Sequence, residues 1–338
     1  MKKAVILGAR QAALVQVSEP HAIEDWVVVK VHIIPMCTEY KAFTAGQPSA
    51  YLGHEAVGEV VEVAQPGKVQ VGARVVVMPL YPCGRCELCV AGDYIHCEHS
   101  YNVAKFTGSS EGAATYAQYV IKPSWLLPLI PGGVSYEKAG LALCALGPSM
   151  GAFERMNLSA FDTVLITGAG PVGLGGVVNA RYRGARVIMV EGHPWRADKA
   201  RQLGAELVLD PADSQTLGAI RQATDGRGVD ASLDCSGTVA AERLCIEATR
   251  RRGQVAFVGE CDEALPIRVS PDMIRKGLTI HGSWHYNLQL YPKIMQVIQQ
   301  SPLAEQLIGH VLPFSQVQEA LEICTSRNCA KVLLRAWE

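Results

Sequence analysis

Apolar positions along this chain follow two different rhythms. Up to Lys122 they come in short blocks, "WVVVKVHII" from Trp26, "AVGEVVEVA" from Ala56, "GARVVVMPL" from Gly72 and "YAQYVIK" from Tyr116, punctuated by Gly and Pro. Blocks of this kind predict strands of a barrel-like all-β domain. The opening "MKKAVILGARQAALVQV" alternates in the same way and reads as a first strand. Its two lysines and apolar run are superficially like a signal peptide, but Arg10 and Gln11 interrupt the run.

From Phe161 the rhythm changes to strand-like blocks separated by helical ones. "FDTVLITGAGPVGLGGVVNARYRGARVIMVEG" reads as strand, glycine turn, helix and strand. "ADKARQLGAELVLD", "TLGAIRQATDGRGVDASLDCSG", "AAERLCIEATRRRGQVAFVG" and "LTIHGSWHYN" continue the alternation. Strands alternating with helices predict a parallel sheet covered on both faces. The expected organisation is α/β, with a doubly wound domain over 148–287 set into a β-barrel domain formed by 1–147 and 288–338. In the tail, "YPKIMQVIQQ", "HVLPFSQVQEALEICTS" and "AKVLLRAW" add helices and a last strand that returns to the first domain. Internal repeats and low-complexity linkers are absent.

Composition narrows the function classes. The 338 residues are 49% hydrophobic and 19% charged, with a formal net charge of -1. That balance gives no electrostatic reason to expect nucleic acid or an anionic membrane as a partner. No apolar run approaches the roughly 20 residues a spanning helix needs. A cytoplasmic protein is expected, and in that setting its eleven cysteines point to metal or catalysis before disulfides.

Four of them, Cys83, Cys86, Cys89 and Cys97, are spaced C-x2-C-x2-C-x7-C. Two-residue gaps turn neighbouring thiolates onto one ion, and the longer loop closes a tetrahedron. Four thiolates leave no open position, so a structural Zn²⁺ is expected, with His96 and His99 as spare donors nearby. The glycine turn carries G-x-G-x-x-G in Gly168, Gly170 and Gly173, with Pro171 and Val172 opening the helix. The glycines permit a tight turn, close approach to a pyrophosphate, and tight helix–sheet packing. Glu191 ends the next strand, where an acid binds ribose hydroxyls and repels a 2′-phosphate, so NAD is favoured over NADP. Arg196 and His193 soften that preference. Gly259, at the end of a later strand, is assigned to the cofactor as well.

Together, "GHE" at Gly53–Glu55, the cysteine loop, "GAGPVG" and "HVLPF" resemble the zinc-dependent medium-chain dehydrogenases/reductases, the family of alcohol, sorbitol and threonine dehydrogenases. The resemblance covers essentially the whole chain. It implies a GroES-like barrel, a Rossmann domain, an active site in the cleft between them, and a homodimer or homotetramer. Residue by residue, His54 matches a catalytic zinc ligand, Glu55 the adjacent carboxylate, and Lys331 the cation that pairs with it. Cys144 matches a second ligand, 24 residues ahead of Gly168, the separation of yeast-type alcohol dehydrogenases. Outside the resemblance it reads as a buried core thiol.

The third ligand is where the chain departs from the family's G-I-C-G-T-D/E-x-H. In "IPMCTEYKAF" an ungapped overlay puts Met36 on the ligand position and Cys37 on the glycine. A thioether is neutral and soft, a poor ligand for Zn²⁺, so Cys37 is the expected one. A zinc held by His54, Cys144 and Glu55, or no catalytic zinc, remain the alternatives. The resemblance implies that zinc activates the substrate hydroxyl, that Thr38 relays its proton, and that Lys41, where relatives have histidine, passes it on or is a solvated surface lysine. "GSWHYN" (Gly282–Asn287), with Glu39 and Tyr40, hints at a hydroxylated small molecule such as a polyol, sugar or (amino)cyclitol, although Trp284, His285 and Tyr286 read equally well as packing. A catalytic-zinc-free quinone or enone reductase, and a non-enzymatic crystallin-like relative, stay open beside the dehydrogenase.

Overall fold

The computed structural model describes all residues 1–338. Fourteen strands occur in chain order. Six come first: β1 (Lys2–Gly8), β2 (Gln11–Gln16), β3 (Trp26–Pro35), β4 (Ala56–Glu62), β5 (Arg74–Val77) and β6 (Tyr119–Pro123). The next six are β7 (Thr163–Thr167), β8 (Arg186–Val190), β9 (Leu207–Leu209), β10 (Val229–Asp234), β11 (Thr249–Phe257) and β12 (Thr279–Gly282). The last two are β13 (Ile308–Pro313) and β14 (Lys331–Arg335). No helix is long and apolar enough to cross a membrane.

Contacts divide the chain into two compact units. The first takes Met1–Leu143, Asn287–Gln299 and Ile308–Glu338, and the second takes Cys144–Tyr286 and Gln300–Leu307. Against the boundaries expected from sequence, the first cut falls a few residues earlier, and Gln300–Leu307 belongs with the second unit.

In the first unit β3 is apolar along nearly its whole length because both its faces are buried, and it is paired on both edges. It runs antiparallel to β4, β6 and β14, and its side chains join a core with Phe43, Tyr116, Phe314 and Leu334. The single opening strand expected from sequence is two. Arg10 has φ 53° and sits in the turn of an antiparallel β1–β2 hairpin, so the polar interruption marks a reversal of the chain. Register decides which strand ends meet. Leu333 faces Pro35, and Ile33 faces Val57. The end of β3 and the starts of β4 and β14 therefore meet at one edge, which brings Cys37, Glu55 and Lys331 together.

In the second unit all strand pairs are parallel, in the order β12-β11-β10-β7-β8-β9. The chain runs outward from β7 to β9, then returns to β10 on the other side, so the switch point lies between β7 and β10. That is the position at which open α/β sheets bind dinucleotides. Leu165, Ile188, Ile220 and Val229 are fully buried on one face of this sheet.

Candidate metal centres and dinucleotide turn

The thiols of Cys83, Cys86, Cys89 and Cys97 all lie within 4.8 Å of one another. Gly84, with φ 72°, makes the reversal between the first two and sits against the Trp125 indole, where a Cβ would come within 2.8 Å of Nε1. Backbone donors already face the sulfurs. Cys86 N–H donates to Cys83 Sγ at 3.4 Å, Cys83 N–H to Cys97 Sγ at 3.3 Å, and His99 N–H to Cys97 Sγ at 3.4 Å. Burial works against the Cys83 thiolate, but the N–H groups of Arg85 and Cys86 outweigh it and bring the thiol down to about 6. Four soft donors converging at this spacing, with N–H groups aimed at the sulfurs, fit a closed zinc site.

The second cluster holds Cys37, His54, Glu55 and Cys144, whose ligand atoms likewise all lie within 4.8 Å of one another. The two candidate positions in "IPMCTEYKAF" therefore separate. Cys37 turns into the ligand set, whereas Met36 is 2% exposed in the hydrophobic core, tied through its N–H to Val332 O at 2.9 Å. Cys144 comes directly after Leu143, in the turns beyond the short helix Tyr136–Gly140.

Glu39 has a role the sequence did not disclose. In place of the substrate contact its position hinted at, it accepts from His54 Nδ1 at 3.1 Å, from Cys37 N–H at 2.9 Å and from the Tyr116 hydroxyl at 2.9 Å. With Nδ1 committed to Glu39, Nε2 is the nitrogen turned towards the ligand set, 3.7 Å from Glu55 Oε1. This is the carboxylate–histidine arrangement that fixes the tautomer of a metal ligand. The advance signal was that Glu39, two residues beyond Cys37, occupies the D/E position of the family motif, which does not say what the acid touches.

The charges around the cluster explain one another. Burial disfavours the Glu39 carboxylate, but the His54 hydrogen bond and charge outweigh it and hold the carboxyl at about 2. Burial likewise disfavours the His54 imidazolium, yet Cys37 and Glu39 raise the ring to about 11. Glu55 is pushed up to about 7, chiefly by burial and further by Cys37, against the pull of Lys331. Its Oε1 accepts from Lys331 Nζ at 2.7 Å, both side chains fully buried. A pocket this rich in anionic donors holds a proton on His54 where a divalent cation would displace it, so the donor set fits catalytic zinc.

Thr38 is exposed and begins the helix Glu39–Ala45 without spending its hydroxyl on a side-chain cap. Lys41 is exposed on the first turn, with its N–H bonded to Thr38 O. Of the aromatic segment, His285 and Tyr286 are buried and stacked at 4.6 Å, which places them in packing, whereas Trp284 is 47% exposed. Tyr40 packs against the core.

At the switch point Gly168 has φ 83°, and Gly170 begins the helix Pro171–Tyr182. A Cβ on Gly173 would lie 1.8 Å from Gly168 O, so only glycine lets the helix sit this close. A Cβ on Gly170 would find only Arg196 Nη1 at 3.9 Å, leaving the face open to a phosphate. Val172 lies in the first turn of that helix. Glu191 spans the turn, accepting from Ala169 N–H at 2.6 Å and from His193 N–H at 2.7 Å. Gly259 is packed so closely that a Cβ would fall 2.3 Å from Gly237 N. The sequence missed Asp234 beneath it, a fully buried carboxylate that accepts from Thr167, Ser236 and Gly237.

Comparison with known proteins agrees with this geometry. The family described as alcohol dehydrogenase GroES-like domain matches residues 23–132, and that described as zinc-binding dehydrogenase matches residues 171–300. Sorbitol dehydrogenase of Bacillus subtilis is 30% identical, covering 99% of this chain and 97% of its own. D-arabitol-phosphate dehydrogenase of Enterococcus avium is 28% identical, covering 97% and 95%. Among solved structures, alcohol dehydrogenase TADH from Thermus sp. ATN1 superposes with a TM-score of 0.90 at 25% identity, covering 99% of each chain.

Proposed function

Because this chain belongs to the zinc-type medium-chain dehydrogenase family, we propose that it transfers a hydride between NAD(H) and a secondary alcohol or ketone of a polyol, sugar or cyclitol. The observation that carries the reading is the convergence of Cys37, His54, Glu55 and Cys144 within 4.8 Å. Cys37, His54 and Cys144 hold the catalytic zinc, and the four cysteines of the loop hold the structural one. When bound, the catalytic zinc supplies Lewis acidity that lowers the pKa of a substrate hydroxyl, and NAD supplies the hydride acceptor.

The chain's own residues do the rest. Glu39 keeps the His54 ring in one tautomer, and Lys331 balances Glu55 so that the pocket does not carry an unpaired buried carboxylate. Thr38 takes the proton of the substrate hydroxyl and hands it outward, which its exposure favours. Lys41, exposed one helical turn on, gives an ammonium proton to solvent as it takes up the one that Thr38 hands on. Gly168 and Gly170 let backbone approach the pyrophosphate, and Glu191 takes the ribose hydroxyls, favouring NAD over NADP.

The substrate class is supported by the relatives named for sorbitol and D-arabitol phosphate. We extend the reading to a cytoplasmic location, consistent with eleven unbridged cysteines, and to a homodimer or homotetramer. The test is NAD-linked turnover of zinc-replete protein over a panel of polyols, sugars and cyclitols. Turnover of at least one panel member is expected. Zinc-replete protein that binds NADH but oxidises none of them, while reducing an enone, would sink the proposal.

A further inference from the structure

The second unit has a cavity of about 500 Å³ at the end of the sheet opposite the dinucleotide turn. Its walls are the starts of β10 and β11, the helix ends near Arg221 and Glu247, and the segment 268–276. Because the strands are parallel, this is the N-terminal edge of β10 and β11, whereas the glycine turn lies at the C-terminal edge of β7.

Seven cations line the cavity against two acids, Glu247 and Asp272. In a chain of formal net charge -1, that is a local concentration and no general basic tendency. Four of the cations are held in fixed positions. Arg243 clamps both oxygens of Asp272 at 2.7 and 2.8 Å, and Arg250 pairs with Asp230 at 2.6 Å. Lys276 Nζ caps Ile246 O at 2.5 Å, and Arg251 donates to Arg275 O at 3.0 Å. These contacts use up both acids of the lining, since Glu247 also accepts from Arg243 at 2.8 Å.

Arg221, Arg227 and Arg268 remain. They are exposed, and their guanidinium groups make no hydrogen bond or ion pair, although Arg268 lies close enough to Asp272 to stabilise its carboxylate. A lone exposed arginine is an ordinary solvated side chain. Three on one concavity, backed by four more cations locked in place, repel one another and gain only when an anion enters. Guanidinium forks match phosphate oxygens bidentately, and 500 Å³ suits a small molecule.

We propose that this cavity binds a small anion carrying two or more linked phosphate groups, at a site separate from the dinucleotide turn. Arg221, Arg227 and Arg268 take the phosphate oxygens, and the clamped cations supply the surrounding field. The site stands independently of the catalytic reading.

The test is calorimetric titration of inorganic tripolyphosphate into the full-length protein saturated with NADH, with orthophosphate and ATP as separate arms. Tripolyphosphate should bind at one site per chain and more tightly than orthophosphate, weakening with added salt. Arg221→Gln and Arg227→Gln should each weaken it about tenfold while leaving NADH binding unchanged. ATP binding as tightly as tripolyphosphate means the phosphate chain alone is read. Tighter binding of ATP means a nucleotide is the natural source. The proposal fails if neither substitution weakens binding, or if tripolyphosphate binds only when NADH is left out. It also fails if a single-stranded oligonucleotide binds there and tripolyphosphate does not compete.

Discussion

Asp234→Asn is the substitution that tests most directly how the dinucleotide turn is held. The Asp234 carboxylate is fully buried. Oδ1 accepts from Thr167 Oγ1 at 2.7 Å, Ser236 Oγ at 2.8 Å and Ser236 N–H at 3.1 Å, and Oδ2 accepts from Gly237 N–H at 3.0 Å. An amide supplies only one such oxygen. In its better orientation the asparagine keeps the three donors on one side and sets its NH₂ against the Gly237 N–H. One charge-assisted bond is lost, a buried donor is left unpaired, and three other bonds lose their ionic partner. At about 1.5–3 kcal/mol for a charged bond and 1–3 for the orphaned group, the expected loss is about 3–5 kcal/mol. Removing single donors should cost less, about 1 kcal/mol for Ser236→Ala and about 1–2 for Thr167→Val. The loop also backs the glycine turn, since a Cβ on Gly168 would meet Ser236 Cα at 2.9 Å. Asp234→Asn should therefore weaken NADH binding by about tenfold or more. Urea unfolding followed by circular dichroism at fixed zinc gives the stability, provided the slope m is unchanged, and fluorescence titration gives the NADH affinity. A variant within about 0.5 kcal/mol of wild type, with NADH affinity unchanged, would refute the reasoning.

Three further outcomes are expected. Cys37→Ser lowers bound zinc from two ions per chain to one and abolishes NAD-linked turnover, whereas Met36→Leu keeps both; metal analysis of purified protein reads this directly. Glu39→Gln frees the His54 ring and weakens catalytic zinc about 10–100-fold while the four-cysteine site stays filled, as competition with a chelator would resolve. Lys331→Met pushes the Glu55 carboxyl up further, so that it takes a proton at neutral pH and is left as a buried acid without its partner, destabilising the first unit by about 1–3 kcal/mol. Scanning calorimetry would register no change if the pair were dispensable.

Much of this arrangement was legible in the sequence because its signals are local. The four cysteines of 83–97 and the glycines of 168–173 each carry their chemistry within one short loop. The strands from β7 to β12 also emerged from alternating blocks, since a doubly wound sheet imposes that rhythm. What could not be read depended on direction. Whether Met36 or Cys37 faces the ligand set is decided by how the chain leaves β3, where Met36 is fixed by Val332 in a strand distant in sequence. Glu39 looked like a polar residue near a substrate. Its partner Tyr116 lies 77 positions away, and pairing of that range leaves no local pattern. Asp234 was missed although most of its donors are local: Ser236 and Gly237 lie two and three residues on, the pattern of an Asx turn within "DCSG", and only Thr167 on β7 is 67 positions away. The hairpin at Arg10 escaped because a positive φ outside glycine has no residue signature there. Trp284, His285 and Tyr286 formed a single aromatic run in the sequence, but packing buries the last two and leaves the first exposed.

The Glu55–Lys331 contact spans 276 positions, and the strand that carries Lys331 pairs with β3. A ribosome making this protein must therefore synthesise the entire nucleotide-binding sheet before the metal pocket can close. During that interval one edge of β3 is uncovered at its Ile33–Pro35 end, beyond the stretch that β6 already pairs, and an apolar, β-branched edge is the kind that recruits other chains. The second unit is complete in sequence before β14 emerges, so folding order is imposed by translation. Cells making this protein faster than β14 can dock, or with zinc in short supply, would be expected to lose it first to aggregation through β3.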